Sequence, residues 1–181
     1  MPNTIPPSPV PERTSHPFYT YDMIHEIPTT ISKTLRNDRI VPAAKKLSER
    51  KSFYFTGCGT AFFSAMLGAE PLRPSKIRSL CVPALELEYH NYPVDAFTGV
   101  VVADSHSGIT KTTVDALKYA PSNGAFGIGI THFLDRPIFN AANETLLIGN
   151  SPDNSRCHTK CYVAGAVLCC MCENFNGIVE S

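Results

Sequence analysis

Gly57, Cys58, Gly59 and Thr60 follow the apolar run Phe53–Thr56, and Ser105, His106, Ser107, Gly108, Ile109 and Thr110 follow Val100–Asp104. Each stretch sets small and hydroxyl-bearing residues where a strand would turn into a helix. Backbone N–H groups at a helix start lack intrahelical partners, the helix dipole adds partial positive charge there, and Ser/Thr hydroxyls supply further donors. Such a turn is a cradle for an anion. Two of them in one short chain point to a phosphorylated small molecule.

Each stretch also has a plainer reading. Gly57–Thr60 resembles part of a dinucleotide fingerprint, but Phe62 stands where the third glycine belongs, and the second strand runs into Pro83 without a ribose-binding acid. No Gly-Lys-Ser/Thr of a P-loop follows it, and a tight turn that needs glycine for packing alone remains open. Residues 105–110 are more pointed, because capping a helix takes one hydroxyl and three converge here. His106 between the serines could donate to a phosphate, act as an acid or base, or do neither. In a third stretch, Asn154–Lys160, a cation and Thr159 precede an apolar helix; they could close over a sugar phosphate or form a solvated helix end.

Glu86 is the best carboxylate in the chain for acid–base work, since it should lie near a strand end; the alternative is a helix-start carboxylate favoured by the dipole. His25, His90 and His132 have no partner spacing that singles them out. Cys157, Cys161, Cys169, Cys170 and Cys172 with His158 invite a zinc reading. On one helix, however, Cys157 and Cys172 stand ~22 Å apart at about 1.5 Å per residue, too far to share an ion. Cysteine as small apolar filler explains the row, and no metal site and no cofactor are expected.

The elements that must position these residues follow from periodicity. Short β-rich runs at Ser52–Thr56, Arg78–Val82, Gly99–Ala103, Phe126–Thr131 and Thr145–Ile148 alternate with helical patterns at Thr60–Ala69, Thr110–Tyr119, Asp135–Ala142 and Cys157–Cys172. Strands apolar on both faces, alternating with helices, predict an α/β three-layer αβα sandwich around a five-stranded parallel sheet. Ligands of such sheets sit beyond the carboxyl ends of the strands, where both turns fall. Upstream, Ile24, Ile27, Ile31 and Leu35 recur at helical spacing, and Pro28, which lacks an N–H, predicts two short helices, with a further helix over Val41–Arg50. Residues 1–15 carry five prolines and read as a flexible tail, 16–51 as a helical lead-in and 52–181 as one ligand-binding domain.

Sixteen Lys and Arg balance sixteen Asp and Glu among 181 residues, so bulk electrostatics suggest neither a nucleic-acid nor an anionic-membrane partner, and anion recognition must be local. No run approaches a membrane span, and the N-terminus lacks the basic and apolar regions of a signal peptide. Seven cysteines, an odd number, fit reduced thiols in the cytoplasm.

In this order the pieces resemble the SIS (sugar isomerase) domain, in particular the first SIS half of the isomerase module of glutamine–fructose-6-phosphate amidotransferase. The resemblance runs from about His16 to Leu168. The lead-in from His16 to Pro28 is similar to that family's His-Tyr-Met…Glu-Ile…Gln-Pro segment. Gly57–Thr60 matches its Cys-Gly-Thr-Ser turn, and Ala84–Tyr89 its Ala-Ser-Glu-Phe-Arg-Tyr segment. Ser105–Thr110 matches Ser-Gln-Ser-Gly-Glu-Thr, and Cys157–Lys160 matches Ala-Ser-Thr-Lys. The resemblance implies that Ser105, His106, Ser107, Gly108 and Thr110 hold a sugar phosphate, with Gly57, Cys58, Gly59, Thr60, His158, Thr159 and Lys160 lining the rest. It also implies aldose–ketose isomerase or glucosamine-6-phosphate synthase or deaminase-like chemistry, with a phosphorylated sugar or amino sugar as ligand, and a homodimer or higher oligomer; the alternative is a non-catalytic phosphosugar sensor. Ala61, His106, Ile109 and His158 replace a serine, a glutamine, a glutamate and a serine of the family pattern. The resemblance also implies that the family's isomerisation base, ring-opening histidine and C-terminal lysine belong to a second half, so that a partner subunit supplies them, the chain only binds, or the chain is an incomplete copy of a two-half protein.

Overall fold

The computed structural model describes residues 10–48, 50–70, 77–149 and 151–178, with side chains as far as residue 172. Five strands, β1 (Ser52–Gly57), β2 (Arg78–Cys81), β3 (Gly99–Asp104), β4 (Phe126–Thr131) and β5 (Glu144–Leu147), form one sheet in the order β2-β1-β3-β4-β5. Every pairing is parallel, with Phe55 opposite Val102 and Gly57 opposite Asp104. The helices are α1 (Tyr19–Leu35), α2 (Ile40–Leu47), α3 (Thr60–Ala69), α4 (Ala84–Tyr89), α5 (Lys111–Ser122), α6 (Pro137–Ala141) and α7 (Thr159–Ile178).

Side chains alternate across a strand, so the two faces of the sheet bury different sets. Phe53, Phe55, Val100, Val102, Ile128 and Ile130 pack under α2, α3 and α7 with Leu47, Ala65 and Leu168. Tyr54, Val101 and Ala103 pack under α4, α5 and α6 with Leu87, Leu117 and Ile138. The three-layer α/β sandwich read from the sequence is the observed architecture. Among the described residues no helix is long and apolar enough to cross a membrane.

Two local expectations change. The segment 19–35 is one helix with Pro28 inside it, not two short helices. Pro28 is exposed, and the carbonyl that loses its N–H partner belongs to Ile24, which is 49% exposed, so water can serve it while the opposite face packs on α7. That packed face carries Met23, Thr30 and Thr34 rather than the isoleucine row, and Leu35 is 47% exposed. The helix α4, with Pro83 at its N-cap, was not anticipated from periodicity; six residues are too few for a pattern to register. Of the segment read as a tail, residues 1–9 lie outside the described residues. Within 10–15, the Arg13 guanidinium pairs with Asp22 at 2.6 Å, and the backbone carbonyl of Pro11 accepts from the Tyr19 hydroxyl at 2.7 Å.

Candidate functional site

The chain order of the sheet reverses between β1 and β3, because β1 leads outward to β2 and β3 leads the other way to β4 and β5. The helix after β1 therefore packs on one face and the helix after β3 on the other. A crevice opens between them at the carboxyl ends of the strands. It holds a cavity of about 300 Å³ lined by Cys58, Gly59, Thr60 and Ala61 from the first turn and Asp104, Ser105, His106, Ser107, Thr110 and Thr113 from the second. His158, Cys161 and Tyr162 line it from the start of α7.

Glycine shapes both turns. A Cβ on Gly57 would lie 2.9 Å from the Ala61 carbonyl group, so the bare backbone lets α3 start directly over the strand end. Gly108 has φ +66°, and a Cβ there would meet Arg136 Cβ and Thr131 Oγ1 at 2.8 Å. The loop is tied to β4: Ser105 N–H donates to the Ile130 carbonyl at 2.9 Å, and the His106 carbonyl accepts from His132 N–H at 3.1 Å and the Thr131 hydroxyl at 3.2 Å. Within it, the Ser105 and Ser107 hydroxyls each lie 3.5 Å from Thr110 Oγ1. Cys58 joins the two turns, with its Sγ 3.0 Å from Thr112 Oγ1 and 3.4 Å from Thr113 Oγ1.

The three helix starts at the cavity differ. Neither α3, with Gly59 at its N-cap, nor α5, with Thr110 there, has a side chain capping it. No side chain takes up the first N–H groups of either helix, although Phe62 N–H turns back to the Gly59 carbonyl at 3.0 Å, and both dipoles converge on the crevice. The start of α7 is closed: Asp153 Oδ2 accepts Lys160 N–H at 2.9 Å and Cys161 N–H at 3.2 Å, Asp153 Oδ1 accepts Ser155 N–H at 2.9 Å, and the Ser155 hydroxyl accepts Thr159 N–H at 3.3 Å.

Of the residues singled out in the sequence, the structure gathers Cys58, Gly59, Thr60, Ser105, His106, Ser107, Thr110 and His158 around the cavity. Gly57 and Gly108 shape it without lining it. Thr159 and Lys160 are not among its lining, and the buried Lys160 ammonium turns away to Glu26 and Ser151. Glu86 sits on α4, where its partly exposed carboxylate meets His90 Nδ1 at 2.6 Å, outside the cavity lining. Asp104, Thr113, Cys161 and Tyr162 were not singled out as site residues. The spacing of 158, 161 and 162, i, i+3 and i+4, marks one helix face and is the signal that could have found the last two.

Burial sets the protonation of the site. It pushes the Asp104 carboxyl up to about 7, against a hydrogen bond from Ser64 that favours the ionised form. Gly165 makes room for this carboxyl, since a Cβ there would lie 2.4 Å from Asp104 Oδ2. Burial, followed by the neighbouring His158 and His132, holds the His106 imidazole down to about 3, so it is neutral at physiological pH. Burial pushes the Cys161 thiol well above its usual range. The arrangement offers an anion uncapped helix starts, the hydroxyls of Thr60, Ser105, Ser107, Thr110 and Thr113 and the neutral His106 imidazole, with no Lys or Arg among the described residues that line the cavity.

The family model of the SIS domain matches residues 46–169. Glutamine–fructose-6-phosphate aminotransferase [isomerizing] of Bacteroides thetaiotaomicron is 26% identical over 176 residues, covering 88% of this chain and 28% of the relative. The C-terminal domain of glucosamine-fructose-6-phosphate aminotransferase from Francisella tularensis superposes with a TM-score of 0.71 at 16% identity, over 93% of this chain and 51% of that one. The Vibrio vulnificus NanR protein complexed with ManNAc-6P gives 0.67 at 14% identity, over 90% and 61%. The chain thus spans little more than a quarter of that curated relative and 51% and 61% of these solved chains.

Proposed function

The chain belongs to the SIS domain family, and we propose that its cavity binds a phosphorylated sugar or amino sugar, with the phosphate seated by the Ser105–Thr110 turn. The observation that carries this reading is the convergence, at the switch point of the sheet, of two helix starts without side-chain caps and the hydroxyls of Ser105, Ser107 and Thr110. An anion there gains charge-assisted hydrogen bonds without a cation. Cys58, Gly59, Thr60 and His158 then face the sugar.

Calorimetric titration with fructose 6-phosphate against fructose tests the seat: the ester should bind and the free sugar should not. Hydrogen bonds to a charged group are worth about 1.5–3 kcal/mol each, so Ser105→Ala/Ser107→Ala should weaken binding by roughly 100-fold or more. Equal binding of fructose, or an unchanged double variant, overturns the assignment.

Isomerase chemistry is the catalytic form of this reading, and binding alone is its rival. Asp104 is the only carboxylate among the described residues that line the cavity, and Glu86 is engaged elsewhere, which favours a base supplied by another subunit or domain, or a sensor. Deuterium appearing at C1 or C2 of the sugar in heavy water, read by NMR, would establish enolisation; saturable binding without exchange would establish the sensor. A homo-oligomer suits the apolar groove between α3 and α7, lined by Leu67, Val163, Val167 and Met171, and sedimentation checks it. Seven free thiols support a cytoplasmic setting.

A further inference from the structure

His106 follows β3, His132 follows β4 and Cys161 lies in the first turn of α7, yet their potential ligand atoms all lie within 4.8 Å of one another. Cys161 Sγ is 3.9 Å from His132 Nδ1, and the His106 and His132 ring centres are 5.6 Å apart. The Nδ1 atom of His106 is buried without a hydrogen-bond partner. Folded proteins leave few such nitrogens, and each one asks for an explanation. An ion shared with the neighbouring groups supplies one.

We propose that His106, His132 and Cys161 bind a divalent transition metal of the zinc class in the wall of the cavity, with one coordination position open to it. Two imidazole nitrogens and one sulfur form the borderline-soft set that zinc takes, whereas magnesium and calcium seek oxygen. Tetrahedral zinc, with Zn–N about 2.0–2.1 Å and Zn–S about 2.3 Å, sets N and S roughly 3.6 Å apart. The observed Cys161 Sγ to His132 Nδ1 separation of 3.9 Å is close to that value. The backbone is already fixed, since His132 N–H is held by the His106 carbonyl and Cys161 N–H by Asp153. On binding, the S–H bond of Cys161 breaks, its proton leaves to solvent, and one Zn–S and two Zn–N bonds form. His106 and Cys161 line the cavity, so the fourth position can take water or a ligand oxygen. Three protein ligands with an open fourth position is the form of a reactive rather than a structural site. The proposal stands independently of the phosphosugar reading, because it concerns the ion alone.

Cobalt(II) titrated into the metal-free full chain tests it. The expected result is thiolate-to-cobalt charge-transfer absorption with tetrahedral d–d bands, saturating at one equivalent and displaced by zinc. Cys161→Ser should abolish the charge-transfer band, whereas Cys157→Ser, at an exposed thiol, should leave it intact. His132→Ala and His106→Gln should each weaken binding by about 100-fold or more. Circular dichroism verifies that each variant is folded, and His106→Gln carries the test if Cys161→Ser is not. Absence of the band in the unaltered chain, its survival in folded Cys161→Ser, or unchanged affinity in His106→Gln overturns the proposal.

Discussion

Lys160 and Glu26 join α7 to α1, with Ser151 between them: the Ser151 hydroxyl lies 3.0 Å from Lys160 Nζ and 3.1 Å from Glu26 Oε2. The Lys160 side chain is 0% exposed and that of Glu26 is 37% exposed, so the two partners are not equivalent. Glu26→Ala strands a buried ammonium with the serine hydroxyl as its remaining acceptor. Breaking a fully buried pair costs about 3–5 kcal/mol; water reaching the Glu26 side lowers that to about 2 kcal/mol. Lys160→Met replaces the ammonium with an apolar chain of similar length and leaves the Glu26 carboxylate with the Ser151 hydroxyl and water, at a cost of about 1 kcal/mol or less. A domain of this size loses roughly 2–4 °C of Tm per kcal/mol, so Glu26→Ala should lower Tm by about 4–8 °C and Lys160→Met by less than about 4 °C. Urea denaturation at neutral pH, with the double variant closing the cycle, measures the asymmetry. The hydrogen bond from Lys160 also holds the Glu26 carboxyl below its usual range, against burial. Its contribution is therefore complete above the ordinary carboxylate pKa and fades as the pH falls through the lowered value, so the wild-type and Glu26→Ala curves should converge in acid. Both variants should bind fructose 6-phosphate within about twofold of the unaltered chain, because Lys160 lies outside the cavity lining. A larger stability loss in Lys160→Met than in Glu26→Ala would refute the reasoning, as would lost sugar-phosphate binding in a fully stable Lys160→Met.

Two further substitutions probe the frame of the site. Asp153→Asn, ordinarily a neutral change at a helix cap, should here cost about 2 kcal/mol in urea denaturation, because both carboxylate oxygens accept N–H groups and an amide would set an NH₂ against one pair. Gly108→Ala should destabilise by about 1–3 kcal/mol and weaken sugar-phosphate binding in the same calorimetric assay, since the added Cβ collides with Arg136 and Thr131 at a positive φ.

The legible parts were those governed by local rules. Apolar strands alternating with helices specified the parallel sheet, because strands buried on both faces need helices on each. The two glycine and hydroxyl turns at 57–60 and 105–110 announced the crevice, because turn residues act over four to six positions. Less legible was the course of α1, where Pro28 argued for a break that the solvent-facing side of the helix absorbs. The family resemblance implied Lys160 as a ligand-lining residue, yet its rotation on α7 delivers it to Glu26, 134 positions away in the chain.

The sequence by itself determined the fold class and the two helix starts that face the crevice, since periodicity and turn chemistry are properties of neighbouring residues. It also argued against an ion shared by Cys157 and Cys172 on one helix, by simple rise per residue. Only the tertiary structure decided which donors remain free, because the cap on α7 and the clasp on Lys160 are contacts between elements. Only it brought His106, His132 and Cys161 together, because two loops and the start of α7 meet at one end of a parallel sheet whatever their separation along the chain.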